Sequence, residues 1–165
     1  MGDRDYYLLD DEASVKMRNA YKNYINTLFT LAGYSADEAA KAADAVMKFE
    51  TGIAETSVDR NALRDVHLNY NKMSLKDFVR KYDFLNWDIF FKEIGLKSST
   101  ELNAGQVSFF KGLTKLVKKT SLEDLKAYLS FKLLNSASNY LSDDFVNANF
   151  EFFGKTVQGR EELQP

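Results

Sequence analysis

The residues best equipped for chemistry crowd into one stretch. From Phe49 to Leu75 the chain reads FETGIAETSVDRNALRDVHLNYNKMSL, and after Ser57 it sets Arg60, Arg64, Asp65, His67, Tyr70 and Asn71 close together. Two arginines could grip a peptide carboxylate bidentately. His67 with Asp65 could act as a general base beside a positioned Ser or Thr. Side chains at i and i+2 on a loop seldom converge that way, however, and His67 is the only histidine of the chain. As a haem or metal ligand it has no second His, Cys or Met at helical spacing to support it. The spacing therefore favours a polar connector whose guanidinium and carboxylate groups tie down backbone amides and carbonyls. In that reading His67 hydrogen-bonds locally or faces water.

The elements around this connector are helical. Upstream, Ala39, Ala42, Val46, Phe49 and Ile53 recur at three and four, which places them on one helix face. Ser35 and Glu38 form a capping box that opens this helix and carries it to about Thr56. Before it, a helix is expected from about Ser14 to Ala32, stopped by Gly33, with Asp10, Asp11 and Glu12 at its positive end. Gly52 costs about 1 kcal/mol relative to alanine and points to a close neighbour.

Downstream, Ser74 caps a short helix ending near Tyr82, and Asn86 caps another that Gly95 ends. Ser98 to Gly105 lacks helical rhythm, and Glu101-Leu102-Asn103 reads as a short extended piece. A helix over Gln106–Lys118 follows. Thr120 and Glu123 then suggest a second capping box for a helix over Leu122–Leu141. That helix carries apolar residues around most of its circumference, so it is expected to be buried on nearly all sides at the centre of the core. Ser142 caps a last helix that fades towards Gly159. The sum is an all-α orthogonal bundle of about seven helices with little or no strand.

Composition sets the outer bounds. A chain of 165 residues with 45% apolar residues fills the core of one domain. Net charge is -2, with 22 Lys and Arg against 24 Asp and Glu and no basic block, which argues against nucleic acid and anionic membrane as partners. Without cysteine there is no disulfide framework, thiolate nucleophile or thiolate metal site. No apolar run approaches the roughly 20 residues that span a bilayer, and no signal-peptide core is visible. The compartment is left open, and Met1 is read as an artificial start.

Several pieces taken in order resemble the helical domain of the neprilysin-type zinc metallopeptidases, including the bacterial oligopeptidase O branch. They are Asp3-Arg4-Asp5-Tyr6-Tyr7, then Phe49-Glu50-x-x-Ile53-Ala54, Arg60-x-x-x-Arg64-Asp65 and Tyr70-Asn71-Lys72-Met73-Ser74-Leu75, then Asn149-Phe150-x-Phe152-Phe153-Gly154-Lys155-Thr156. Members of that family usually carry proline after the Arg-Asp pair; Val66 stands there in this chain, so a less rigid turn is expected.

The resemblance implies a fragment of a longer metalloendopeptidase, 1–165 forming one helical domain. That domain walls the substrate chamber and restricts entry to oligopeptides. The family's zinc requires the two histidines of H-E-x-x-H and a downstream glutamate, which this chain cannot supply. Zinc is therefore expected in the catalytic domain of the parent polypeptide, which is this chain's expected partner together with peptide substrates. No catalytic, cofactor or metal residue is assigned here, and the fragment alone is expected to be inactive. The motif positions Arg4, Asp5, Tyr6, Tyr7, Glu50, Arg60, Arg64, Asp65, Tyr70, Asn71, Met73, Gly154 and Lys155 are read as fold determinants. A domain cut from its neighbour should also expose an apolar face through which it could self-associate. The alternative reading is a stand-alone helical protein-interaction module.

Overall fold

Capping chemistry sets most element boundaries. The computed structural model describes residues 1–96 and 100–162, which form ten α-helices, a two-stranded ribbon, a 3-10 turn and a closing π-helix. The expected count was about seven. The three additional helices are α1 (Asp5–Leu8), α4 (Arg60–Arg64) and α5 (Val66–Asn69), each four or five residues long. A single turn is too short to display a 3.6-residue period, so hydrophobic rhythm passes over it. The chain divides into two compact units, Met1–Ala54 with Thr120–Pro165, and Glu55–Lys119.

In the first unit, α2 (Glu12–Leu31) starts two residues before the expected Ser14, because the Asp11 side chain accepts from Ser14 N at 3.0 Å. Gly33, at φ 91°, takes the left-handed conformation that ends it. Helix α3 (Ala36–Thr56) opens on the expected capping box: Ser35 N donates to Glu38 Oε2 at 2.9 Å and Ser35 Oγ to the same oxygen at 2.6 Å. The core is built from Ile25, Leu28, Phe29, Val46 and Phe131, all fully buried, with Tyr21, Tyr24 and Phe152 stacked or edge-on beside them.

Helix α9 (Leu122–Ala137) departs from expectation twice. Its N-cap is Ser121, which accepts from Asp124 N at 3.1 Å, one residue later than the Thr120–Glu123 box. Nor is it buried all round. Phe131 alone is fully buried, with Ala127, Tyr128 and Leu134 packed against the core, while Leu122, Leu129 and Leu133 remain 66%, 65% and 68% exposed. The apolar pattern all round marked residues that could be buried, and among the described residues only the Phe131 side of the helix is. The chain then turns through Ser138–Tyr140 into α10 (Asp143–Asn149) and the π-helix Phe150–Val157.

In the second unit, β1 (Lys72–Ser74) pairs antiparallel with β2 (Glu101–Asn103), Met73 opposite Leu102. The extended piece at Glu101–Asn103 is thus found, with a partner. Of the rhythmless Ser98–Gly105 segment, Ser98 and Ser99 lie outside the described residues. Ser74 caps α6 (Leu75–Lys81) by accepting from Asp77 N at 3.0 Å, and Asn86 caps α7 (Trp87–Glu93) by accepting from Ile89 N at 3.2 Å. These helices and α8 (Val107–Lys119) enclose Phe78, Tyr82, Trp87 and Ala104, with Phe91 and Phe110 against them. Trp87 Nε1 donates to the Tyr82 carbonyl at 2.6 Å. At Gly112 a Cβ would lie 2.3 Å from Thr56 Cγ2, so the bare glycine backbone of α8 is what admits the end of α3.

Candidate functional site

The N-terminal motif closes on a buried carboxylate. Tyr7, the one buried residue of α1, donates its hydroxyl to Glu50 Oε2 at 2.6 Å across 43 residues of sequence. Glu50 is itself buried, and the Tyr21 hydroxyl also hydrogen-bonds it. Burial, reinforced by the nearby Glu50 charge, pushes the Tyr7 and Tyr21 phenols far above their ordinary range. Both hydroxyls therefore stay protonated and serve as donors to Glu50. The Met1 amine sits 3.8 Å from Glu50.

Around them the motif is bound by its main chain. Arg18 Nη1 donates to the carbonyls of Tyr6, at 3.1 Å, and Leu9, and its Nη2 to Asp10 at 3.2 Å. Nothing in the local spacing of Arg18 marks this role in the sequence. Arg4 caps α1, its carbonyl accepting from Tyr7 N at 2.9 Å, while its Nε is buried with no hydrogen bond. Asp5 N donates to the Asp3 side chain at 3.0 Å.

In the connector, carboxylates and amides hold the backbone. Asp59 accepts from Asn61 N and Ala62 N at 2.8 and 2.9 Å, and Asp65 accepts from His67 N and Leu68 N at 2.9 and 3.0 Å. Asp65 thus ends α4 and caps α5, directing its carboxylate to main-chain amides. Val66 fills the first helical position of α5, where proline's fixed φ and missing N–H are tolerated.

Three asparagines complete the tie. Asn69 Nδ2 donates to the carbonyls of Ala62, Leu63 and Asp65 at 2.8, 3.1 and 2.7 Å. Asn103 accepts from Asn71 N at 2.6 Å and donates to the Asn69 carbonyl at 3.0 Å, while Asn71 Nδ2 donates to the Leu68 carbonyl at 2.7 Å. Asparagine is so ordinary a turn-forming residue that nothing marks Asn69 or Asn103 in the sequence, and the bond that joins them spans 34 positions. Arg60 and Arg64 open and close α4 with exposed side chains, and Tyr70 and His67 are exposed as well. Met73 packs on the aromatic core from β1.

The C-terminal motif forms the π-helix. Gly154 is buried, and a Cβ there would come within 2.2 Å of the Phe150 ring, so the glycine provides the seat for that ring. Lys155 Nζ reaches Glu151 at 2.5 Å and lies 5.7 Å over the Phe150 ring. Asn149, just before it, donates to Ser138 Oγ at 2.9 Å and Tyr24 Oη at 3.2 Å, and Tyr24 donates to Asn135 at 2.8 Å. The motif positions thus fall into separate clusters, Tyr7 with Glu50, Asp65 and Asn71 in the connector, and Gly154 with Lys155 in the π-helix, while Arg60, Arg64 and Tyr70 stand exposed. Among the described residues no group of three or more His, Asp or Glu could hold a metal ion.

Comparisons with known proteins point to one family. A model of the N-terminal region of peptidase family M13 matches residues 1–165. Rat endothelin-converting enzyme-like 1 is 28% identical over 168 residues, covering 98% of this chain and 21% of its own length. Neutral endopeptidase of Lactobacillus helveticus is 25% identical over 142 residues, covering 86% of this chain and 22% of its own. The open-state structure of the zinc metalloprotease ZMP1 of Mycobacterium tuberculosis superposes with a TM-score of 0.92 at 26% identity, over 100% of this chain and 26% of that one. The chain spans about a fifth of the length of these curated relatives. Matched from its first residue to its last, the chain belongs to peptidase family M13, within the N-terminal region of those longer proteins.

Proposed function

We propose that this chain is the helical, non-catalytic part of a neprilysin-like zinc metalloendopeptidase, forming one wall of a chamber that admits oligopeptides and excludes folded proteins. The observation that carries the reading is the conjunction of a family match over residues 1–165 with a donor set that does not fit the metal. Zinc sites draw on several imidazole or thiolate ligands. This chain has one histidine, exposed on α5, and no cysteine. The zinc and the water it activates are accordingly assigned to the remainder of the polypeptide. The motif residues contribute shape: Tyr7–Glu50 fixes the N-terminal turn, Asp65 and the asparagines fix the connector, and Gly154 seats Phe150.

The test compares two proteins on two substrates. The longer polypeptide encoded by the gene should cleave a fluorogenic oligopeptide in a chelator-sensitive way and spare a folded protein displaying the same sequence on a loop. The 165-residue chain should cleave neither. Chelator-sensitive cleavage by the 165-residue chain, or equal attack on both substrates by the longer one, overturns the proposal.

A further inference from the structure

We infer that the outer face of α9 is an intramolecular docking surface, covered by an apolar helix face from the part of the polypeptide outside this chain. The inference rests on the proposed parent protein. Leu122, Leu129 and Leu133 are about two-thirds exposed, and Tyr140, just past the helix, is 88% exposed. Spacings of seven and four keep the three leucines on one line of α9, the seam a neighbouring helix packs against, and Tyr140 stands in the 3-10 turn that follows. The opposite side of the same helix already carries Phe131 into the core. Lys126, on the line between Leu122 and Leu129, pairs with Glu123 at 3.0 Å and sits on a long flexible stem, so the strip carries little net charge.

Two observations select the occupant. This fold is retained, at a TM-score of 0.92, inside a relative of which it makes up 26%, so a large body of further chain is available to meet the face in such a protein. The strip is also narrow. A stable pair of separate molecules buries about 800 Å² per partner, contributed by some 20 residues a side, and a line of three leucines with one tyrosine beyond it falls well short of that. A tethered segment needs far less area, because its docking is intramolecular and its effective concentration is high. The geometry therefore favours a segment of the same polypeptide over a second copy.

The absence of cysteine allows a direct test. The variant L133C, and separately L129C, is treated with a maleimide, and modification of that peptide is followed by mass spectrometry in the 165-residue chain and in the longer polypeptide. Both positions are exposed, so each variant should retain the parental circular dichroism. The expected result is rapid labelling in the 165-residue chain and labelling slower by about tenfold or more in the longer polypeptide. Equal rates in the two overturn the inference while leaving the proposed function standing. Protection within the 165-residue chain that grows with its concentration also overturns it, because a second copy would then be the occupant. A gene that ends at residue 165 overturns the proposed function itself.

Discussion

The two units of this chain are held by different means. The first rests on long helices whose facing sides interlock aromatic rings, Tyr24 stacked at 5.1 Å on Phe152 and Tyr21 edge-on to Phe131 at 5.8 Å, around a buried carboxylate with phenol donors. The second has short helices, of which α4 and α5 bury nothing. Its connector depends on carboxylates and asparagine amides bonded to main chain, and its core is one aromatic cluster around Trp87. Where helices are long, apolar area determines the structure. Where they span a single turn, hydrogen-bond satisfaction does. Motif residues recur in both regions: Tyr7, Glu50 and Gly154 are buried in the first, and Asp65 caps a helix in the second.

The largest effect should come from the first core. Phe131→Ala removes a fully buried ring that Tyr21 and Tyr24 both contact, and should lower stability by about 3–5 kcal/mol in urea unfolding followed by far-UV circular dichroism. A loss below about 1 kcal/mol would mean that aromatic packing is not what holds this unit. Next, Tyr7→Phe withdraws a buried donor from Glu50 and should cost about 1–3 kcal/mol.

The same pair of phenols gives a pH dependence with a definite sign. Tyr7 and Tyr21 hold their protons more tightly folded than unfolded. Their contribution is full below the ordinary phenol pKa of about 10 and declines as pH rises above it, because the unfolded chain releases protons that the folded chain keeps. The urea midpoint should therefore fall from about pH 9 to 11, and fall less steeply in Tyr7→Phe. Identical slopes would remove Tyr7 from the account.

In the second unit Asn103→Ala breaks the link between Asn69 and Asn71 and should cost about 1–2 kcal/mol. Its signature is local, as faster amide exchange over residues 62–71 with little change in Trp87 fluorescence. Asp65→Ala removes a cap and should cost about 1 kcal/mol with the same local pattern. Tyr82→Phe should be neutral or stabilising, because its hydroxyl is buried with no hydrogen bond. A clear destabilisation would reveal a polar partner, such as a bound water, inside the aromatic cluster.

Much of this was legible from sequence where partners sit within one turn. The Ser35–Glu38 box, the Ser74 and Asn86 caps and the Gly33 stop stand where local chemistry places them. Thr120 and Ser121 are both capping residues with acids three positions on, and spacing alone could not choose between them. What was not legible depends on residues far apart. Tyr7 and Glu50 were each marked by a motif, yet their bond spans 43 positions, and Arg18 and Asn103 act on distant carbonyls that leave no local signature. The apolar residues around α9 predicted burial on nearly all sides, and composition around the helix could not show that Leu122, Leu129 and Leu133 stay exposed.

The central claim is that this chain contributes shape to an M13 peptidase and leaves metal chemistry to the rest of the polypeptide. Zinc titrated into the purified 165-residue chain, followed by calorimetry and by unfolding temperature, tests it most directly. The account predicts no stoichiometric binding and no rise in unfolding temperature. One zinc bound per chain, with binding abolished by His67→Ala, would contradict it.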